Sequence, residues 1–165
     1  MRRALKGVGQ SSSGVLFGND NSLLLAAVLQ KIGKAQSMLR QYGQAIETLE
    51  EALRIYRVAE MRGANEGSRI SPFQEDVARI LENLGEVMMI SGDLTLAFSY
   101  YTESLTLLRS SSGNNGNNDN PMDGIEVALV LGAIGQVHLR RGEFAEAKVV
   151  LKECMRIFEK NGKRV

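Results

Sequence analysis

The apolar residues of this chain fall into three stretches of helical spacing, each divided by a short break. From Leu23 to Arg40 they stand at Leu25, Val28, Leu29, Ile32, Ala35 and Leu39, so that they gather on one side of a helix. Gln41–Gly43 interrupts the pattern, and Ala45–Arg62 resumes it with Ile46, Leu49, Leu53, Ile55 and Tyr56. Two helices joined by so short a turn lie antiparallel, as a helical hairpin. A second hairpin is predicted over roughly 73–109, broken at Ser91–Gly92–Asp93, and a third over 123–161, broken at Arg141–Gly142–Glu143. The pattern predicts an all-α chain of three antiparallel hairpins, with the first spanning about 22–62.

The hairpins keep one register. Leu81, Leu84 and Met88 surround Gly85, and Ala97 and Tyr101 follow it by 12 and 16 residues. Around Gly33 the same places hold Leu29, Ile32, Gln36, Ala45 and Leu49, and around Gly135 they hold Leu131, Ile134, His138, Ala147 and Leu151. Glycine inside a helix costs roughly 1 kcal/mol against alanine. Its recurrence at one place implies packing: Gly33, Gly85 and Gly135 remove bulk on one helix, and Ala45, Ala97 and Ala147 do so on the other, letting the two backbones approach.

Between the hairpins the chain turns polar. Segment 63–72 ends at Pro72, which biases Ser71 toward extended backbone, and a loop is expected there. Pro72 suits the start of a helix, whose positive end Glu75 and Asp76 then favour. Segment 110–122 contains SSSGNNGNNDN with no apolar residue, a composition that does not offset the entropy of ordering, and is expected to be a mobile loop. Asn21 or Ser22 is the expected cap of the first helix. Residues 1–21 are expected to form a poorly ordered N-terminal tail, and 162–165 a C-terminal one. With Arg2, Arg3, Lys6, Ser11–Ser13 and no acid before Asp20, residues 1–19 also fit an organelle transit peptide or the remnant of an upstream repeat.

Composition narrows the classes of function. The 165 residues are the length of one domain, and 44% are hydrophobic, enough to bury a core. A formal charge of +1 supplies no field to draw nucleic acid or an anionic membrane, and the longest apolar run, Leu23–Leu29, is far short of the roughly 20 residues a membrane span needs. Cys154 is alone and forms no internal disulfide, which points to an intracellular, cytoplasmic setting.

The register resembles the tetratricopeptide repeat, whose Leu-Gly-x-x-Tyr followed by Ala-x-x-x-Phe spacing matches all three units from Ala26 to about Glu159. Two departures stand out. Arg57, Arg109 and Glu159 occupy the place of the family's proline, so the second helices are expected to run on. The glycines are also 52 and then 50 residues apart, against about 34 in the family. The wording of Leu81–Gly85 (LENLG), Ala97–Leu105 (AFSYYTESL) and Ala45–Leu53 is similar to the kinesin-light-chain type of repeat.

That resemblance implies a superhelix whose first helices line a concave groove for a peptide or protein segment. Carried over position by position, the groove residues are Gln30, Lys31 and Lys34 in the first unit, Arg79, Glu82, Asn83 and Glu86 in the second, and Gln136, Leu139 and Arg140 in the third. An asparagine at position 83 can accept from a peptide N–H and donate to a C=O, the use the family makes of that place. Lys34 and Asn83 match two members of the clamp with which chaperone-binding repeats hold a terminal carboxylate. Leu129 and Ala133 stand where its last Lys and Arg would be, so chaperone tails are not expected. A mixed groove that turns apolar toward Leu129 and Leu139 suits an extended amphipathic segment. The plainer alternative is that these residues form a solvated helix face.

No catalytic, cofactor or metal site is expected. His138 falls at the tyrosine place of the repeat, which suits a packed histidine, and Cys154 takes a small-residue place. Zinc needs about four ligands, and the glycines form no phosphate loop. The last helix carries Val150, Leu151, Met155, Ile157 and Phe158, which cover more than one face. Since repeat arrays need polar ends, self-association through the last hairpin, or a longer array, is the second expectation.

Overall fold

The computed structural model describes residues 19–64, 73–112 and 121–162. They form α1 (Asn19–Met38), α2 (Tyr42–Ala64), α3 (Gln74–Ser91), α4 (Leu94–Ser112), α5 (Pro121–Arg141) and α6 (Phe144–Gly162). Each odd-numbered helix packs along the even one that follows, and α3 then packs on α2 as α5 packs on α4. The chain is an all-α solenoid of three stacked hairpins.

Several helix ends differ from the periodicity. α1 begins at Asn19, so Asn21 and Ser22 sit inside its first turn instead of capping it. α2 and α4 run on to Ala64 and Ser112, well past Arg57 and Arg109, where no proline stops them. α5 opens on Pro121, whose fixed φ and missing N–H suit a first turn. Phe73 precedes α3 without a side-chain cap, and Glu75 and Asp76 complement the positive end of the helix. Residues 1–18, 65–72, 113–120 and 163–165, with most of the expected tails and loops and Pro72, lie outside the described residues.

The three hairpin turns share one construction. Gly92 and Gly142 take φ of 94° and 79°, and Arg40 takes φ of 62° at the same place in the first unit. At both Arg40 and Gly142 a paired set of backbone hydrogen bonds closes the helix end, Arg40 N–H to Ser37 O with Gln41 N–H to Gln36 O, and Gly142 N–H to Leu139 O with Glu143 N–H to His138 O. The carboxylate of Asp93 then accepts from the Leu96 N–H at 3.0 Å and caps α4.

Close approach within each hairpin rests on the glycines. A Cβ added at Gly33 would lie 2.6 Å from Leu49 Cγ, at Gly85 2.8 Å from the Tyr101 ring, and at Gly135 within 2.7 Å of Leu151 Cγ. Ala45, Ala97 and Ala147 are buried. Between hairpins, Val77, Ile80, Leu84 and Val87 of α3 join the cluster of α1 and α2, while Val127, Val130, Ile134 and Val137 of α5 join that of α3 and α4. Full burial of such side chains is the main stabilising term, about 1.5–3 kcal/mol each.

Candidate functional site

A single stripe of α3 carries Glu82, Asn83, Glu86 and Met89, spaced so that they share one side of the helix. They form one wall of an open hollow of about 640 Å³, with Lys34 of α1 at its edge and Leu129, Ala133, Gln136 and Leu139 of α5 opposite. A neighbouring hollow of about 460 Å³ is lined by Ser37, Met38, Arg40 and Tyr42 of the first hairpin and by Ile90. Lys34, Asn83 and Glu86 line both.

Asn83 stands out chemically. It keeps 8% of its surface exposed, and among the described residues its side-chain amide makes no hydrogen bond. The rest of the residue is packed while its amide reaches the open hollows, so a donor and an acceptor stand at the wall of both. Beside it the Glu82 carboxylate accepts from Ser104 Oγ at 3.1 Å. Burial pushes the Glu82 carboxyl above its ordinary value, the Ser104 hydrogen bond opposes this, Glu126 adds to it, and Arg79 and Lys34 oppose it. Burial likewise pushes the Tyr101 phenol up, reinforced by Glu86 and Glu82. Glu82 and Tyr101 are therefore partly withdrawn from water beside the exposed Glu86, while Leu129, Ala133 and Leu139 make the α5 side largely apolar. Such a surface offers an amide donor and acceptor at Asn83, carboxylates at Glu82 and Glu86, and apolar side chains along α5.

Of the ten groove residues read from the sequence, Lys34, Glu82, Asn83, Glu86, Gln136 and Leu139 lie together. The other four lie outside both hollows. Gln30 is buried and Lys31 points into solvent. Arg79 is drawn toward Asp76 at 3.4 Å and Glu126 at 3.9 Å. Arg140 donates to the Met89 carbonyl at 2.8 Å. Sequence reasoning missed Leu151, Cys154 and Phe158 of α6, which reach the larger hollow. The signal was Gly132: with no side chain there, the floor opens onto Cys154, whose Sγ would meet an added Cβ at 3.8 Å.

His138 lies elsewhere. Its Nδ1 is 2.5 Å from Glu143 Oε2, and its ring stands edge-on to Phe98 with centroids 5.3 Å apart. Arg141 covers the other ring contact, 5.0 Å from the Phe98 centroid, and donates to the Leu94 carbonyl at 2.9 Å. This cluster ties the last turn to α4. The Cys154 thiol donates to the Ala128 carbonyl at 3.0 Å, and burial raises its pKa above the ordinary value, which lowers its reactivity. Among the described residues no three His, Cys, Asp or Glu side chains cluster as metal ligands, and no helix is long and apolar enough to cross a membrane.

Residues 127–160 and 26–58 each match the tetratricopeptide repeat. They cover the third and first hairpins, and the matches name the repeat without deciding its subtype. No curated protein matches the chain. Among solved structures, the TPR domain of Arabidopsis FLU superposes with a TM-score of 0.65 at 15% identity, over 86% of this chain and 98% of that one. BtubC (BKLC) from P. vanneervenii superposes with a TM-score of 0.63 at 19% identity, over 82% of this chain and 47% of that one. At such identities the likeness is one of fold, and this chain spans about half the length of the second.

Proposed function

We propose that this tetratricopeptide-repeat chain is a non-enzymatic interaction scaffold, in a cytoplasmic setting, that takes an extended peptide or protein segment in the hollow between α3 and α5. The observation that carries this reading is Asn83, buried, on the wall of both hollows and without a hydrogen bond of its own. A fixed amide with both functions free matches the alternating N–H and C=O of an extended chain. Glu82 and Glu86 suit a basic side chain beside it, and Leu129 and Leu139 suit apolar side chains farther along.

Peptides selected from a displayed library against the whole chain, followed by calorimetry, test the reading. Two hydrogen bonds at about 0.5–1.5 kcal/mol each make Asn83→Ala weaken binding by about five- to 150-fold, with thermal unfolding little changed. If every selected peptide bound Asn83→Ala, and a chain reversed in charge at both Lys34 and Glu86, as tightly as the wild type, the groove reading would be lost. A second reading, assembly through the last hairpin, is supported by the exposure of Phe144, Met155 and Phe158 on α6.

A further inference from the structure

Among the described residues the stack repeats one interface twice and leaves half of it exposed on α1 and half on α6. In both internal copies the inserted half is a row on a first helix: Val77, Ile80, Leu84 and Val87 on α3, and Val127, Val130, Ile134 and Val137 on α5, all buried. The shift that takes Gly85 to Gly33 takes the α3 row to Leu25, Val28, Ile32 and Ala35 of α1. These four are exposed; Val28 keeps 52% of its surface where Ile80 keeps 0%. α1 therefore presents an apolar row built like the two that are covered, with no hairpin before it among the described residues.

The receiving half lies on the second helices. Leu53 and Tyr56 of α2 belong to the cluster that takes in α3, and the Tyr56 ring is 5.7 Å from Phe73 just ahead of α3. Leu105 and Leu108 do the same on α4. In register, α6 offers Met155 and Phe158, and Phe158 is 41% exposed where Leu108 is 4%. The two open faces are thus an inserting half and a receiving half of a contact this sequence already makes.

We propose that a second copy of the chain docks head to tail, the α1 row of one molecule on the α6 face of the next, continuing the stack across molecules. The proposal rests on the assembly reading and not on the groove, with Phe158 the one docking residue that also reaches the larger hollow. Because the two faces differ, the contact does not close on itself and assembly grows with concentration. Charge modulates it. Arg57 of α2 pairs with Glu103 of α4 at 2.8 Å, and Arg109 of α4 with Glu153 of α6 at 2.8 Å. In that ladder the next arginine place holds Glu159, and the first glutamate place holds Glu51, which pairs with Arg54 at 2.5 Å. A junction between copies sets Glu159 against Glu51. An exposed charge contact is small beside the burial of several apolar side chains, so the mismatch weakens the junction without preventing it.

Sedimentation velocity across a concentration series tests this, with circular dichroism to confirm the fold of each variant. The wild-type mass should rise with concentration. Leu25→Glu with Val28→Glu blocks one face, Met155→Glu with Phe158→Glu blocks the other, and each blocked chain should stay monomeric alone. Their mixture should give a discrete dimer, each supplying the face the other lacks. Glu159→Arg, an exposed change, should tighten association about two- to fivefold, and adding Glu51→Arg should remove that gain. Monomers throughout, including Glu159→Arg, overturn the proposal and the assembly reading together. A singly blocked chain that still self-associates keeps assembly and overturns the head-to-tail arrangement. A full chain that stays monomeric while the chain lacking residues 1–18 associates assigns the α1 row to the chain's own N-terminal segment and also overturns it.

Discussion

Gly85 and Tyr101 stand face to face across the middle hairpin, so close that a methyl group on the glycine would lie 2.8 Å from the ring. Leu49 and Leu151 take the place of the tyrosine in the other two hairpins. Overpacking costs about 1–3 kcal/mol, and alanine returns about 1 kcal/mol of helix propensity. Gly85→Ala is therefore expected to lower stability by up to about 2 kcal/mol in urea unfolding. Gly43→Ala, with nothing within 4 Å of the added carbon, should be neutral or gain up to about 1 kcal/mol.

Leu84 and Ile32 hold the same place in successive units, and only Leu84 is covered by a preceding hairpin. Leu84→Ala should cost about 2–5 kcal/mol. Ile32→Ala, measured where the protein is monomeric, should cost less than about 1 kcal/mol. Equal losses would mean that α1 is covered.

Arg40 takes a left-handed backbone at a place where the other two turns use glycine. Such a conformation costs a non-glycine residue about 1 kcal/mol or more. Arg40→Gly should recover about that amount, offset in part by the greater freedom of glycine in the unfolded chain. A loss of stability in thermal unfolding would show that the Arg40 side chain contributes more than its backbone strain.

The folded pKa of Glu82 lies above its ordinary value, chiefly through burial. The folded chain therefore binds more protons than the unfolded one between those two values, and stability falls as pH rises through that window. Above it the cost of holding the charge persists; below the ordinary carboxylate range it vanishes. Glu82→Gln is expected to be more stable than wild type at neutral pH, with the difference closing in acid. An unchanged difference across pH would show that burial of Glu82 is not the cause.

The Arg57–Glu103 and Arg109–Glu153 pairs are about half exposed on both sides. A double-mutant cycle on either should give a coupling of about 0.2–1 kcal/mol that shrinks with added salt. The hairpin stack should survive loss of either pair, because its apolar contacts carry most of the energy.

Much of the architecture was legible because helical periodicity is local. The recurrence of Gly33, Gly85 and Gly135, each followed 16 residues later by Leu49, Tyr101 or Leu151, marked the hairpins and the residues that meet across them. Helix ends were less legible. Asn21 and Ser22 looked like caps, yet the helix starts at Asn19, since a short polar residue in a first turn and at a cap look alike in sequence.

By itself, then, the sequence determined the three hairpins, their register, and the stripe on each first helix from which a groove could be built, because those follow from spacing along one helix. Only the tertiary structure decided which members of the stripe face the hollow. Lys34, Glu82, Asn83 and Glu86 do, whereas Arg79 is drawn to Asp76 and Glu126, Arg140 to the Met89 carbonyl, and Gln30 into the interior. It also decided that the α1 row, built like those of α3 and α5, is left uncovered. Burial and pairing depend on where a neighbouring hairpin comes to rest, and helical spacing carries no record of that.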